Sequence, residues 1–307
     1  MKIFITGGAG YIGSSLIPAL LRAGHFVTVY DSLLYGGDGV LHNFSEPKFT
    51  FIKGDILDKE LLHAEMEGYD VIIHLAAIVG YAACRRNEAH SFEVNHIGTQ
   101  NVVSGLNGSQ LLIYGSTGSN YGSVEGVCTE KTPLKPLSIY GESKTLGEKV
   151  VRDYRNSVAF RFATAFGASP RLRLDLLVND LSHVAFTQKY IAVYEAHFMR
   201  TFIHVRDIAR AFVFAIDKQD VMSGEVYNVG SNAMNHSKKE ICELIKSKTG
   251  CYVHYADFDG DADKRDYIVS YDKINNLGYD TTIGIEEGVD ELLKVFPLVS
   301  LGNKYRN

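Results

Sequence analysis

The chain has 307 residues and a mass of 34.0 kDa, enough for one large α/β domain or two unequal ones. Its 46% hydrophobic and 22% charged composition excludes extensive disorder, and its net charge of −5 argues against nucleic acid as a partner, since phosphate-backbone contacts need a basic surface. No run of apolar residues is long enough for a membrane span, and the start lacks a basic-then-apolar leader pattern. Cys84, Cys128, Cys242 and Cys251 lie far apart without a CxxC pair, which points to buried thiols in a reducing cytoplasm rather than a disulfide framework or a zinc site.

Short apolar runs at Lys2–Thr6, Phe26–Tyr30, Phe49–Ile52, Val71–Leu75, Gln110–Tyr114 and Val158–Phe162 predict buried strands. Amphipathic stretches at Gly13–Ala23, Lys59–Glu67, Ser91–Ser104 and Ser138–Arg155 predict helices between them. That alternation predicts parallel βαβ units, hence an α/β fold with a doubly wound parallel (Rossmann) sheet. Beyond Arg161 the rhythm loosens. A helix is predicted over Leu176–Gln188, strands at Tyr190–Tyr194 and Thr201–His204, and helices over Arg206–Asp217 and Ile285–Val295. The expected division is a nucleotide-binding domain over 1–165 and 201–230, with a smaller interleaved lobe over 166–200 and 231–307.

Residues 6–13 read TGGAGYIG between the first strand and the first helix. Gly7 permits the tight turn, Gly10 lets a pyrophosphate approach the backbone, and Gly13 lets the helix pack on the strand. Free N–H groups at the helix start favour the phosphates. Asp31 closes the second strand, where a carboxylate accepts hydrogen bonds from ribose hydroxyls and repels a 2′-phosphate. With no Arg or Lys between Phe26 and His42, NAD is expected rather than NADP. Asp55 follows the third strand, where it can reach the adenine or cap the next helix.

Tyr140 and Lys144 of YGESK are four apart behind Ser138, an N-cap residue, so both belong on one helical face. A phenol titrates near ~10, and a nearby ammonium lowers that value. Tyr140 can then accept the proton of a substrate hydroxyl whose carbon gives up a hydride. Ser116 and Thr117 follow the Gln110–Tyr114 run and offer hydroxyls to the same substrate oxygen.

These motifs, together with Gly54-Asp55-Ile56, His74-Leu75-Ala76-Ala77, Asn95 in EVNHIGTQN, Tyr121-Gly122 and Arg161-Phe162, resemble the extended short-chain dehydrogenase/reductases of the nucleotide-sugar epimerase/dehydratase group. The likeness covers nearly the whole chain. It implies that Tyr11, Ile12, Ile56, His74, Leu75, Ala76 and Ala77 line the NAD site with the glycines. It also implies that Asn95 braces the active site at the cofactor, that Thr117 is the catalytic hydroxyl and Tyr140 the acid/base, and that Lys144 holds the nicotinamide ribose. On the substrate side it implies Asn179, Arg200 and Arg265 for the nucleotide diphosphate, with Arg171 and Arg173 as further candidates. His204, in an apolar strand, reads as a core histidine. The helices around Ser91–Ser104 and Ser138–Arg155 resemble the pair through which this family forms homodimers.

Two departures refine the expectation. Dehydratases of the group carry Asp-Glu directly after the catalytic Thr, where this chain has Gly118-Ser119; epimerases commonly carry Asn where this chain has Thr164. SPRLRLDLLVNDL, the Arg200 strand and DADKRDY are similar to GDP-heptose 4-dehydrogenases of bacterial capsule synthesis. The expected activity is therefore NAD-dependent oxidation at C4 of a nucleotide-activated sugar. A 4-epimerase sharing that first half-reaction is the alternative, and a non-catalytic NAD sensor a more distant one.

Overall fold

The computed structural model describes residues 1–256 and 266–299. Strands β1 (Lys2–Thr6), β2 (Phe26–Asp31), β3 (Phe49–Lys53), β4 (Val71–His74) and β5 (Leu111–Thr117) are followed by a short β6 (Ser123–Cys128) and then β7 (Ser157–Phe162). With β11 (Glu225–Val229) they build a seven-stranded sheet in the order β11-β7-β5-β4-β1-β2-β3, β6 lying outside it. Every neighbouring pair in that sheet is parallel. Both faces are covered, so the strands read as continuous apolar runs. Ile3 and Ile5 join the core on one face and Phe4 the core on the other.

The crossovers run through α1 (Tyr11–Arg22), α2 (Lys59–Glu65), α3 (Tyr81–Arg86), α4 (Glu88–Phe92), α5 (Gly98–Ser104) and α6 (Ile139–Arg152). The strand order reverses between β1 and β4, and the carboxyl ends of those strands flank the crevice where such sheets bind ligands.

The chain then leaves the sheet through β8 (Thr164–Phe166), α7 (Leu177–Gln188), β9 (Tyr190–Tyr194) and β10 (Met199–His204), and returns through α8 (Val205–Asp217) to β11. Strand β10 pairs with β8 and with β12 (Asn235–Ser237), while β9 pairs with β13 (Tyr252–Ala256) and β6 with β14 (Asp266–Val269). A second apolar core, including Phe166, Val178, Phe202, Ile241, Val289 and Phe296, sits beneath these elements.

Two elements differ from the sequence expectation. Strand β5 continues through Gly115, Ser116 and Thr117, because these residues pair with Phe160, Arg161 and Phe162 of β7. The helix expected over Ser91–Ser104 is interrupted by a π-helical turn at Glu93–Ile97 between α4 and α5. Asn95 sits in that wide turn and engages the Ile78 backbone from both sides, accepting from its N–H (2.7 Å) and donating to its C=O (2.9 Å). Among the described residues no helix is long and apolar enough to cross a membrane. All four cysteines are buried and free.

Candidate active site

A cavity of about 1020 Å³ opens at the carboxyl ends of β1, β2, β4 and β5 and extends to the second core's elements. Its floor is the turn between β1 and α1. Gly7 has φ +72°, and a Cβ there would stand 2.5 Å from the Ala76 nitrogen, so only glycine fits between the two strand ends. A Cβ on Gly13 would lie 2.3 Å from the Gly8 carbonyl oxygen, which enforces the close approach of α1. Gly7, Gly10, Tyr11, Ile12 and Gly13 all line the cavity, as do Asp55, Ile56, Leu75, Ala76 and Ala77.

Asp31 stands at the rim of the same cavity. Its carboxylate accepts from the Ala9 N–H (2.9 Å) and the Leu33 N–H (2.8 Å), which aim it across the glycine turn. Burial pushes its pKa upward, against the pull of the two N–H bonds and the Arg171 guanidinium. Asp55 caps its own turn by accepting from Leu57 N–H, while α2 is capped by Asp58, so Asp55 remains on the cavity wall. A glycine cradle at a helix start and a carboxylate one strand away fit a dinucleotide.

Thr117, Tyr140 and Lys144 line the same cavity. Ser138 caps α6 by accepting from Gly141 N–H (3.1 Å), so the helix starts where Tyr140 faces the cavity, with Lys144 one turn on. Lys144 is buried, with its ammonium 4.0 Å from the centre of the Tyr114 ring. Desolvation lowers its pKa to about 7, opposed by Glu148 and Cys84. Thr117 accepts from Ser119 N–H and donates to the Ser119 hydroxyl, both at 3.1 Å.

Several sequence expectations place differently. Ser116 contributes to the cavity wall, but its hydroxyl donates to Glu148 Oε2 (2.6 Å) and accepts from Asn120. Alternation along β5 turns the two neighbouring hydroxyls apart, and that of Ser116 is taken up by Glu148 and Asn120. Asn95 is buried off the cavity and braces it from behind, donating also to the Ser143 hydroxyl (3.1 Å). Asn179 is fully buried and does not line the cavity. Its amide holds the Gly167 N–H and C=O and the Arg173 C=O, so it shapes a loop instead of meeting a ligand. His74 also points inward, bonded to Thr6 (2.7 Å) and Thr99 (3.0 Å), and burial lowers its pKa to about 3, keeping it neutral. Arg200 lines the cavity and is buried. Arg265 lies outside the described residues.

Two contributions escaped the sequence reading. Lys238 reaches the cavity from the start of the Lys238–Thr249 helix, donating to the Tyr194 C=O (3.0 Å). Glu148, two turns beyond Tyr140, forms a buried bidentate pair with Arg161 (2.6 and 3.1 Å) and anchors α6 to β7. A Glu four residues after Lys144 was visible as a helical repeat, but its partner on a separate strand was not. Of the candidates the sequence did offer, Arg171 and Arg173 both line the cavity.

Residues 3–230 match the model of the NAD dependent epimerase/dehydratase family. The chain belongs to that family. It is 32% identical over 275 residues to an uncharacterized UDP-glucose epimerase of Bacillus subtilis (YtcB), covering 84% of this chain and 85% of the relative. It is 26% identical over 305 residues to a putative UDP-glucose 4-epimerase of Methanocaldococcus jannaschii, covering 95% and 97%. A Bacillus cereus UDP-glucuronic acid 4-epimerase crystallised with UDP-glucuronic acid and NAD superposes with a TM-score of 0.86 at 25% identity, over 97% of this chain and 99% of that one. A Bacillus anthracis dTDP-glucose 4,6-dehydratase in complex with NAD gives 0.84 at 26%, over 97% of both chains. The family assignment makes NAD the cofactor, and it makes the fold that of the extended short-chain dehydrogenase/reductases.

Proposed function

We propose that this chain is an NAD-dependent 4-epimerase of a nucleotide-diphosphate sugar. The observation that carries the proposal is that Thr117, Tyr140 and Lys144 line one cavity together with the glycine cradle. NAD, when bound, supplies a reversible hydride acceptor. The protein's part is to hold the C4 oxygen and move its proton. Tyr140 takes that proton, Thr117 donates a hydrogen bond to the same oxygen, and Lys144 supplies positive charge that favours the phenolate. Gly7, Gly10, Tyr11, Ile12, Gly13, Asp31, Asp55 and Ile56 would hold the cofactor from one side, and Leu75–Ala77 from the other. Arg200, Lys238 and Arg265 are assigned to the diphosphate, whose charge calls for such donors. Residues 166–200 and 231–307 would then furnish the sugar-nucleotide side.

The epimerase relatives support this outcome over net oxidation. Dehydration is disfavoured by the residues after Thr117. A Cβ on Gly118 would stand 3.2 Å from the Phe162 carbonyl oxygen and 3.4 Å from the Tyr267 hydroxyl, leaving little room for an acidic side chain there. Net 4-dehydrogenation, of a GDP-heptose among other sugars, shares the first half-reaction and is the second reading. Incubation with UDP-, dTDP-, GDP- and CDP-sugars and NAD+ separates them. Inverted sugar nucleotide without lasting absorbance at 340 nm is expected, whereas stoichiometric absorbance and a keto product would replace epimerase by dehydrogenase. We also propose a homodimer, through the 88–104 helices and α6.

A further inference from the structure

The loop at 167–176, which belongs to the second core, is tied across the first turn of α1. Tyr11 Oη donates to the Gly167 C=O (2.8 Å) and Ser169 Oγ donates to the Tyr11 C=O (2.7 Å). Ser169 and Ser14 hydroxyls are 2.8 Å apart, and the Arg171 N–H donates to Ser14 Oγ (3.2 Å). The fit against the loop after β2 is close, since a Cβ on Gly39 would stand 2.7 Å from the Arg171 Cβ.

This strap carries the Arg171 side chain into the cavity at its Asp31 end. The residue is 7% exposed, and its guanidinium lies 4.9 Å from the centre of the Tyr35 ring. Among the described residues it has no side-chain hydrogen bond and no ion pair. Arg173, two residues on, is paired to Asp175 through two bonds (3.1 and 2.7 Å), so that carboxylate is engaged elsewhere. Burial and the neighbouring Arg173 charge lower the Arg171 pKa, outweighing the opposing pull of Asp175, Tyr35 and Asp31. A buried, unpaired guanidinium is costly, and its planar fork of donors matches a phosphate. Its neighbours Ser14, Tyr35 and Gly39 all come from the α1 and β2 side of the cavity, whereas Thr117, Tyr140, Arg200 and Lys238 mark the reactive and sugar side.

We propose that Arg171 is a phosphate ligand for the adenosine half of the dinucleotide, delivered by the strap from the second core to the mouth of the glycine cradle. This rests on NAD being the cofactor. It makes cofactor loading the event that fixes the strap, and it sets a positive charge beside Asp31 that softens the rejection of a 2′-phosphate.

Calorimetry on the full chain tests it with NAD+, ADP-ribose, NADP+ and UDP as separate titrants. In R171Q and R171M the Kd for NAD+ and ADP-ribose should rise by about 10–100-fold, the range of a charge-assisted bond. NADP+ should weaken at least as much, and UDP should change by less than about twofold. R171K, which keeps the charge without the fork, should fall between. Melting of the ligand-free variants should be unchanged or raised, because a buried unpaired charge has been removed. Wild-type-like NAD+ affinity in R171Q and R171M, or weakening of UDP alone, would overturn the proposal while leaving the NAD reading intact. Absence of NAD+ binding by the wild type would overturn both.

Discussion

Tyr140, Thr117 and Lys144 have separable duties, and substitution should resolve them. Tyr140→Phe keeps the ring and deletes the only phenol assigned to the C4 proton, so turnover should fall by at least ~100-fold with NAD+ affinity retained. Thr117→Ala removes one hydrogen bond and leaves the base, so its loss should be smaller in the same assay. Lys144 carries a pH signature of its own. The folded protein releases its proton near pH 7, while the unfolded chain holds it up to the ordinary lysine range near ~10.4. The unfolded state therefore binds more protons between these values, and this residue's contribution to stability rises with pH across that window. Denaturant unfolding should show Lys144→Met most stabilised relative to wild type near pH 7, with the advantage shrinking toward pH 10. An advantage independent of pH would mean that Lys144 titrates normally.

At the scale of elements, α6 and β7 are joined by the buried Glu148–Arg161 pair, which also holds Ser116 and, through Arg161, the Tyr121 hydroxyl (3.0 Å). Glu148→Gln leaves Arg161 without its counter-charge inside the protein, and breaking such a pair costs about 3–5 kcal/mol. The expected readout is a lower denaturation midpoint with an unchanged slope; a loss below ~1 kcal/mol, the usual worth of an exposed pair, would contradict it. The sequence was most legible where elements carry their own signals. Runs such as Lys2–Thr6 and Tyr190–Tyr194, the Ser138 cap and the glycine turn depend on local pattern, and each stands where expected. It was least legible where a residue's role depends on what lies across the fold. The Ser116 hydroxyl is bonded to Glu148 of α6, and Asn95, in a π-helical turn, is held by the Ile78 backbone. Asn179 looked like a diphosphate donor because nothing local revealed that its amide is consumed by Gly167 and Arg173.

For the molecule as a whole, the cavity joins a nucleotide-binding sheet to a second core that closes over it. The two are linked at the α1 strap, and β11 returns to the sheet only after β8 and β10 have built part of the second core. Helices α5 and α6 pack side by side, and Ile97 between α4 and α5 is 40% exposed, which suits a surface covered by a second copy. Light scattering at micromolar concentration should therefore report a dimer, and a monomer would remove that part of the account. The central claim is reversible oxidation at C4, and its most direct test uses a nucleotide sugar deuterated at that carbon. We expect the inverted product to retain deuterium at C4, with turnover slowed relative to the protiated sugar and with no label in water. Inversion with loss of the label to solvent would contradict the account, because it would mean that the hydrogen leaves C4 as a proton.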